Sequence, residues 1–337
     1  MTWLLYGANG YTGELIAREA VRRGHRPILA GRDAKKIEPL ARELSCEARI
    51  FDLEHIDLRD VDLVLHCAGP FVLTSAPMVD ACVKANAHYL DITGEIAVFE
   101  SILNRKGDAV TLLPGVGFDV VPTDCLAAML ASRMPDATEL RLAFHTPGGE
   151  LSRGTTKTML ESIGEGGAIR RDGKIVRVPV AYDVREIPFS SGPRTAMTIP
   201  WGDVSTAFHT TGIPNIRVYL ATHPKTVKRT KRVAPFLPIV GLKPIRRFLQ
   251  KIVNRRSGPN EQKRASGRVY LWGEIANARG ETMSMTMTTP EGYAFTVVSA
   301  INAVERVLAS PKPGAFTPAR FFGESFVMTI PGVVIGA

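Results

Sequence analysis

The stretch Thr2-Trp3-Leu4-Leu5-Tyr6-Gly7-Ala8-Asn9-Gly10-Tyr11-Thr12-Gly13 reads as a short apolar strand running straight into a glycine loop. Behind it, residues 14–24 place Leu15, Ile16, Ala20 and Val21 at helical spacing. Strand, glycine loop and helix in this order form the entry to a dinucleotide-binding βαβ unit. Gly7 permits the tight turn, Gly10 lets backbone approach a pyrophosphate, and Gly13 lets the helix pack closely on the strand, while the helix N-terminus offers N–H groups and positive dipole. The spacing is G-x-x-G-x-x-G rather than G-x-G-x-x-G, so a variant loop is expected, with Asn9, Tyr11 and Thr12 beside the nucleotide.

The rhythm continues outward from that stretch. A second strand, Pro27 to Ala30, ends in Gly31-Arg32-Asp33. A carboxylate near this strand end would accept from a ribose 2′-OH, whereas an arginine takes a 2′-phosphate through charge-assisted bonds. Arg32, followed by Lys35 and Lys36, favours NADPH over NADH; Asp33 is the competing feature, and a solvated turn is the plain alternative for Arg32. Ala48 to Phe51 gives a third strand with Asp52 at its tip, and Val61 to Cys67 a fourth that opens into Ala68-Gly69-Pro70-Phe71. Ligands of open parallel sheets sit beyond the carboxyl ends of the strands, which puts Asp52 near the adenine side and Ala68 to Phe71 along the cofactor. A helix from Pro77 to Ala87 leads to a fifth strand, His88 to Ile92, carrying Asp91 and followed by Glu95. A sixth, Ala109 to Leu113, runs into Pro114-Gly115-Val116-Gly117-Phe118-Asp119 before a helix over Pro122 to Ser132. Six strands in this alternation make a doubly wound α/β sheet.

Composition sets the frame. At 337 residues the chain is long enough for about two domains. With 45% hydrophobic and 22% charged residues it is globular rather than disordered, collagenous or coiled-coil. Its longest run without Asp, Glu, Lys or Arg, Leu63 to Val79, holds 17 residues and is broken by Gly69, Pro70 and Pro77, so no spanning helix is expected. The first residues enter a strand at once, without a basic n-region or cleavage site, and Cys46, Cys67, Cys82 and Cys125 lie far apart without zinc spacing. A cytoplasmic protein with reduced thiols and no metal is the simplest expectation. Neither Ser-x-x-x-Tyr-x-x-x-Lys nor G-x-S-x-G appears in a suitable context, which argues against the short-chain dehydrogenase mechanism and against a hydrolase.

From Pro135 the pattern changes to strands: Leu140 to Phe144, Val176 to Val184, Asn215 to Thr222, Ser266 to Ala276 and Glu281 to Thr288, with a helix at Gly154 to Ile163. These predict a second α+β domain of mostly antiparallel strands. The expected division is 1–134 for the nucleotide domain, 135–292 for the second, and 293–337 for a helix from Tyr293 to Ala309 and a tail packing back on the first. Met283, Met285 and Met287 share one strand face, which serves a core or, less commonly, an apolar substrate pocket. The closing FVMTIPGVVIGA covers a pocket or meets a second subunit in a homodimer.

The net charge of +9 is concentrated. Residues 225–264 contribute +12, leaving the rest of the chain at −3. Within this insert, 224–264, Ile245, Phe248, Leu249, Ile252 and Val253 form an apolar helical stripe. A solvated loop with a surface helix is one reading; an anionic membrane surface, met peripherally, or an acidic carrier protein is the other. Nucleic acid is not expected, since no recognised module surrounds the block.

GANGYTG at Gly7 to Gly13, AGR at Ala30 to Arg32, AGPF at Ala68 to Phe71, HYLDITGE at His88 to Glu95 and PGVGFDVVPTD at Pro114 to Asp124 resemble the saccharopine dehydrogenase-like oxidoreductases, closest to the bacterial trans-acting enoyl reductase-like proteins. The resemblance covers about residues 1–165 and returns weakly at Gly314 to Gly323. It implies an NADP(H)-binding Rossmann domain, a second α/β domain, and hydride transfer to an imine or an enoyl thioester. For the chemistry itself the residues offer Asp119, at a strand's carboxyl end after two glycines; Lys157, in a turn opening a helix; and His145, ending a strand over Glu139 to His145. Asp119 also suits ribose binding or helix capping, and Lys157 an ordinary surface. Asp91 and Glu95 suit catalysis, cofactor positioning or capping equally. His66, inside an apolar strand, reads as a core histidine.

Overall fold

The computed structural model describes residues 1–149, 166–236 and 258–336. The chain divides into two compact units, one formed by Met1–Phe118 with Tyr293–Thr317 and the other by Asp119–Gly292 with Pro318–Ala337.

In the first unit, β1 (Trp3–Tyr6), β2 (Ile28–Gly31), β3 (Ala48–Ile50), β4 (Leu63–His66), β5 (His88–Asp91) and β6 (Thr111–Leu113) are all parallel. Their spatial order is β3-β2-β1-β4-β5-β6, the doubly wound arrangement in which crossovers run outward in both directions from β1 and β4. β1, β2 and β4 are buried along their whole lengths, which is why they read as continuous apolar runs and not as alternating ones. Helix α1 (Tyr11–Arg22) buries Gly13, Ile16, Ala17 and Ala20 at spacings of one turn. α2 (Ala34–Leu44) follows β2. α3 (Phe71–Ala85) begins six residues before the expected Pro77, which lies inside the helix. The reason is tertiary: Phe71, Ser75, Met78, Val79 and Cys82 form its buried face, and its first amides find an acceptor at Glu95, the N-cap residue of α4 (Ile96–Leu103).

In the second unit α5 (Val121–Arg133) lies on a mixed sheet. Its strands include β7 (Ala137–His145), β8 (Gly167–Arg171), β9 (Lys174–Val178), β10 (Val184–Phe189), β11 (Gly192–Thr198), β12 (Asn215–Ala221), β13 (Arg268–Asn277) and β14 (Thr282–Pro290). The main path runs β10-β11-β12-β7-β13-β14; β12 and β7 are parallel and the other neighbours antiparallel. On one face a Cβ at Gly273 would stand 2.7 Å from Leu130 and 3.2 Å from Leu126, so glycine lets α5 approach the sheet. The other face carries Ala143, Ile187, Phe189, Ala196, Tyr219 and Trp272 as a compact cluster. Met285 and Met287 are buried, the core role for that stripe.

The expected single strand over Val176 to Val184 is two strands, because Pro179 interrupts the ladder and Ala181 takes a positive φ of 53°. The first boundary falls at Phe118, not Met134, since α5 packs on the second sheet. α6 (Asp203–Thr211), α7 (Pro224–Val233) and α8 (Glu261–Ser266) complete this part of the chain.

The C-terminal stretch is shared between the units and does not pack as one piece. α9 (Gly292–Ala309) and β15 (Gly314–Ala315) belong with the first: β15 adds a parallel strand beside β6, and Thr111 Oγ1 donates to the Lys312 carbonyl. From α10 (Pro318–Phe322) onward the chain belongs to the second: the Ala319 amide donates to Asp124, and β16 (Val334–Gly336) pairs antiparallel with β14. Among the described residues no helix is long and apolar enough to cross a membrane.

Candidate functional site

The switch point between β1 and β4 is where this sheet topology opens a crevice beyond its strand ends. Two loops meet there. Gly7 has φ +84° and a Cβ on it would lie 2.9 Å from Cβ and N of Ala68, so only glycine lets the loop after β1 touch the loop after β4. A Cβ on Gly13 would come 2.3 Å from the Gly7 carbonyl oxygen, so the first turn of α1 rests directly on the loop. The Gly10 amide donates to Gly7 O at 2.9 Å, and Gly10, at the N-cap of α1, brings no side chain to cover the helix end. Asn9, Gly10, Tyr11 and Thr12 stay part-exposed around this ledge, with Tyr11 edge-on to Tyr293 at 5.0 Å. Glycine backbone and a helix N-terminus so arranged can hold an anion.

Further along the strand ends, Tyr6 is within electrostatic reach of Arg32 and Asp52: burial raises the phenol's pKa, Arg32 lowers it and Asp52 raises it. Arg32 is exposed and, among the described residues, has no ion-pair partner. Its neighbour Asp33 is turned to Lys36 at 3.2 Å. A guanidinium left unpaired at this strand end is the donor a 2′-phosphate requires, and the carboxylate that would compete is engaged elsewhere. Asp52 accepts from the amides of Glu54 and His55 at 3.0 Å each and from the His55 ring, which lowers its pKa. The Asn9 amide oxygen lies over Gly31, 3.3 Å from where a Cβ would be.

Beneath these loops a buried polar chain connects three strand ends. Tyr89 donates to Asp91 Oδ2 at 2.8 Å, and its oxygen lies 3.2 Å from His66 Nδ1. Asp91 Oδ1 accepts from the amides of Thr93 at 3.0 Å and Gly115 at 2.8 Å, tying the loop after β5 to the loop after β6. Burial pushes the Asp91 carboxyl up to about 6, against the pull of its three donors. It drops the His66 imidazole to about 3, so that histidine is neutral and structural. Asp91 thus holds loops, with both oxygens occupied by protein groups. Glu95 caps α3, accepting from Phe71 N at 2.6 Å and Val72 N at 2.9 Å, and thereby fixes the Ala68–Phe71 loop. Gly117 makes room for α9: a Cβ there would meet Thr296 at 3.0 Å, and Thr296 Oγ1 accepts from the Phe118 amide at 2.9 Å.

The three proposed catalytic positions fall differently. Asp119 opens the second unit, its carbonyl accepting from the Trp201 indole at 2.8 Å and its carboxyl pushed up to about 6 by burial. His145 ends β7 and lines a separate cavity within the second unit. Lys157 and the helix at 154–163 lie outside the described residues, as does the apolar stripe at 245–253. Of the basic insert, α7 shows five exposed cations.

Sequence reasoning missed Asp203. It is fully buried against Thr123, and burial, then Asp124 and Asp119, raise its pKa well above the ordinary value. The only signal was an acid inside the otherwise uncharged run Ile199 to Phe208.

Residues 3–111 match the saccharopine dehydrogenase NADP binding domain. The chain carries an NADP-binding domain of that family. A trans-acting enoyl reductase of Mycobacterium tuberculosis is 30% identical over 138 residues, 36% of this chain and 33% of that protein. The saccharopine dehydrogenase-like oxidoreductase of Homo sapiens is 24% identical over 202 residues, 50% of this chain and 47% of that protein. The chain therefore matches less than half the length of these relatives. In fold, saccharopine dehydrogenase (L-Glu forming) from Saccharomyces cerevisiae superposes over 97% of this chain and 96% of its own, at a TM-score of 0.65 and 11% identity. The glycine cradle and the unpaired Arg32 suit NADP(H), the cofactor that the family assignment supports.

Proposed function

We propose that the chain is an NADPH-dependent reductase of the saccharopine dehydrogenase-like group acting on an apolar acyl acceptor such as an enoyl thioester. The observation that carries the reading is the meeting of Gly7, Gly13 and Ala68 at the switch point, a cradle that any Cβ would fill, with Arg32 exposed at the next strand end. The name of the mycobacterial relative suggests the enoyl acceptor. Bound NADPH supplies a hydride from its reduced nicotinamide.

The residues of the chain have three tasks. Backbone at Gly7 to Gly13 receives the pyrophosphate, and Arg32 selects the 2′-phosphate. Ala68 to Phe71, held by Glu95 and Thr74, borders the nucleotide; the Thr74 hydroxyl donates to Ala68 O at 2.8 Å. Asp119 follows directly in the chain on Gly115 to Phe118, and burial pushes its carboxyl up to about 6, so a fraction of molecules holds a proton there at neutral pH.

The test is paired titration with NADPH and NADH of the wild type and Arg32→Ala, followed by NADPH oxidation against enoyl thioesters and against imines. Tighter NADPH binding that Arg32→Ala abolishes, with turnover of enoyl thioesters, supports the reading. Equal affinities in all four pairings remove the cofactor assignment, and turnover of imines alone moves the acceptor class.

A further inference from the structure

A cavity of about 370 Å³ opens within the second unit, between the end of β7, the β10–β11 hairpin and the start of α7. His145, Glu186, Arg194, Thr195, Thr222 and His223 line it. We propose that this cavity binds the phosphate group of an organic phosphate monoester, with Arg194 as its principal charge.

Each wall contributes a donor of known kind. Arg194 is exposed, its guanidinium donating to the neighbouring Pro193 carbonyl and, among the described residues, paired with no acid. His223 is the N-cap of α7: its Nδ1 accepts from the Lys225 amide at 3.1 Å, which leaves Nε2 as the ring's donor. His145 is held by Ser191 Oγ at 3.3 Å from Nδ1 and by the rings of Phe189 and Tyr270 at 5.8 and 6.0 Å. Thr195 and Thr222 add hydroxyls. The donors come from three separate elements around one cavity. The volume lies in the range of ligand pockets, roughly 300–1,000 Å³, and exceeds what one inorganic ion fills, leaving space for the organic portion.

The surroundings favour an anion as well. α7 points its positive dipole end at the cavity and exposes Lys225, Lys228, Arg229, Lys231 and Arg232, with no acid in the helix. Among the described residues Glu186 is the one carboxylate on the wall, and it opposes binding. His145 has its pKa lowered by burial and by the Arg194 charge, so it is the group that responds to occupancy. A phosphate beside it offsets Arg194 and raises its pKa, and binding tightens as the pH falls through that range; the other charged or titratable groups around it are Arg194, Glu186 and His223 on the same cavity wall and the stacked Tyr270.

Imidazole resonances of the full chain, titrated with inorganic phosphate at constant ionic strength, test the site. Expected are a saturable shift of His145, an increase in its pKa, at least tenfold weaker binding in Arg194→Ala, and binding in Glu186→Gln as tight as or tighter than wild type. Glycerol phosphate is expected to compete at the same resonance. No saturation, the same response to acetate, full affinity in Arg194→Ala, weaker binding in Glu186→Gln, or exclusion of glycerol phosphate overturns the proposal. It does not rest on the reductase reading, and Gly13→Ala, which obstructs the nucleotide loop, is expected to leave the His145 titration unchanged.

Discussion

At the scale of single residues, Gly13 and Asp203 show how space and solvation set what a position tolerates. A methyl on Gly13 has nowhere to go, because the atom 2.3 Å away is a backbone carbonyl oxygen and not the end of a flexible side chain. Gly13→Ala is therefore expected to cost about 1–3 kcal/mol of stability and to weaken NADPH binding, read by urea unfolding and by nucleotide fluorescence titration. Asp203 acts through water's absence. Its folded pKa is raised above the unfolded value of about 3.9, so the protonated acid is favoured on folding; that contribution is complete below the unfolded pKa and is lost as pH rises through the folded one. Asp203→Asn, neutral at every pH, is expected to gain stability relative to wild type as pH increases, by up to about 1.4 kcal/mol per pH unit across that window. Urea midpoints of both proteins from pH 4 to about 8 measure this slope difference; parallel curves would refute it. Asp91 has the same sign between its unfolded value and about 6, so only the difference between the two proteins isolates Asp203.

At the scale of elements, what the sequence made readable was what local chemistry alone dictates. Six parallel strands, the glycine turn and α1 follow from apolar runs, glycine spacing and helical periodicity, each of which is local. The start of α3 was not readable, because its N-terminal amides are satisfied by Glu95, 24 residues from Phe71 in the chain, while Pro77 carries the local signature of a first turn. The roles of Asp91 and Gly117 were legible only as positions at strand ends; that Asp91 ties two loops and Gly117 yields to Thr296 depends on partners far along the chain. The cap makes a prediction of its own. Glu95→Ala removes the acceptor from two amides and is expected to cost about 0.5–2 kcal/mol, with hydrogen exchange accelerated in the first turn of α3 more than at its centre. Uniform acceleration along the helix would mean that Glu95 does not act as a cap.

At the scale of the molecule, the divided use of the C-terminal stretch means that neither unit is a continuous length of chain: α9 and β15 complete the first, α10 and β16 the second. Ligand linkage then becomes a probe of which unit carries the nucleotide. A ligand that binds only the folded state stabilises by about 2.7 kcal/mol at a hundredfold excess over its Kd. NADPH at that excess is expected to raise the unfolding free energy by about this amount, and to slow amide exchange at residues 7–13 and 68–72, where cradle and neighbouring loop meet. NADH at the same concentration is expected to do less, because Arg32 has no 2′-phosphate to meet. In Arg32→Ala the two cofactors should converge while the slowed exchange at 7–13 persists, since the proposed pyrophosphate contact is made by backbone and owes nothing to that side chain. If Arg32→Ala abolished the protection at 7–13 as well, the arginine would be holding the loop itself, and the separation of phosphate cradle from cofactor selector would fail.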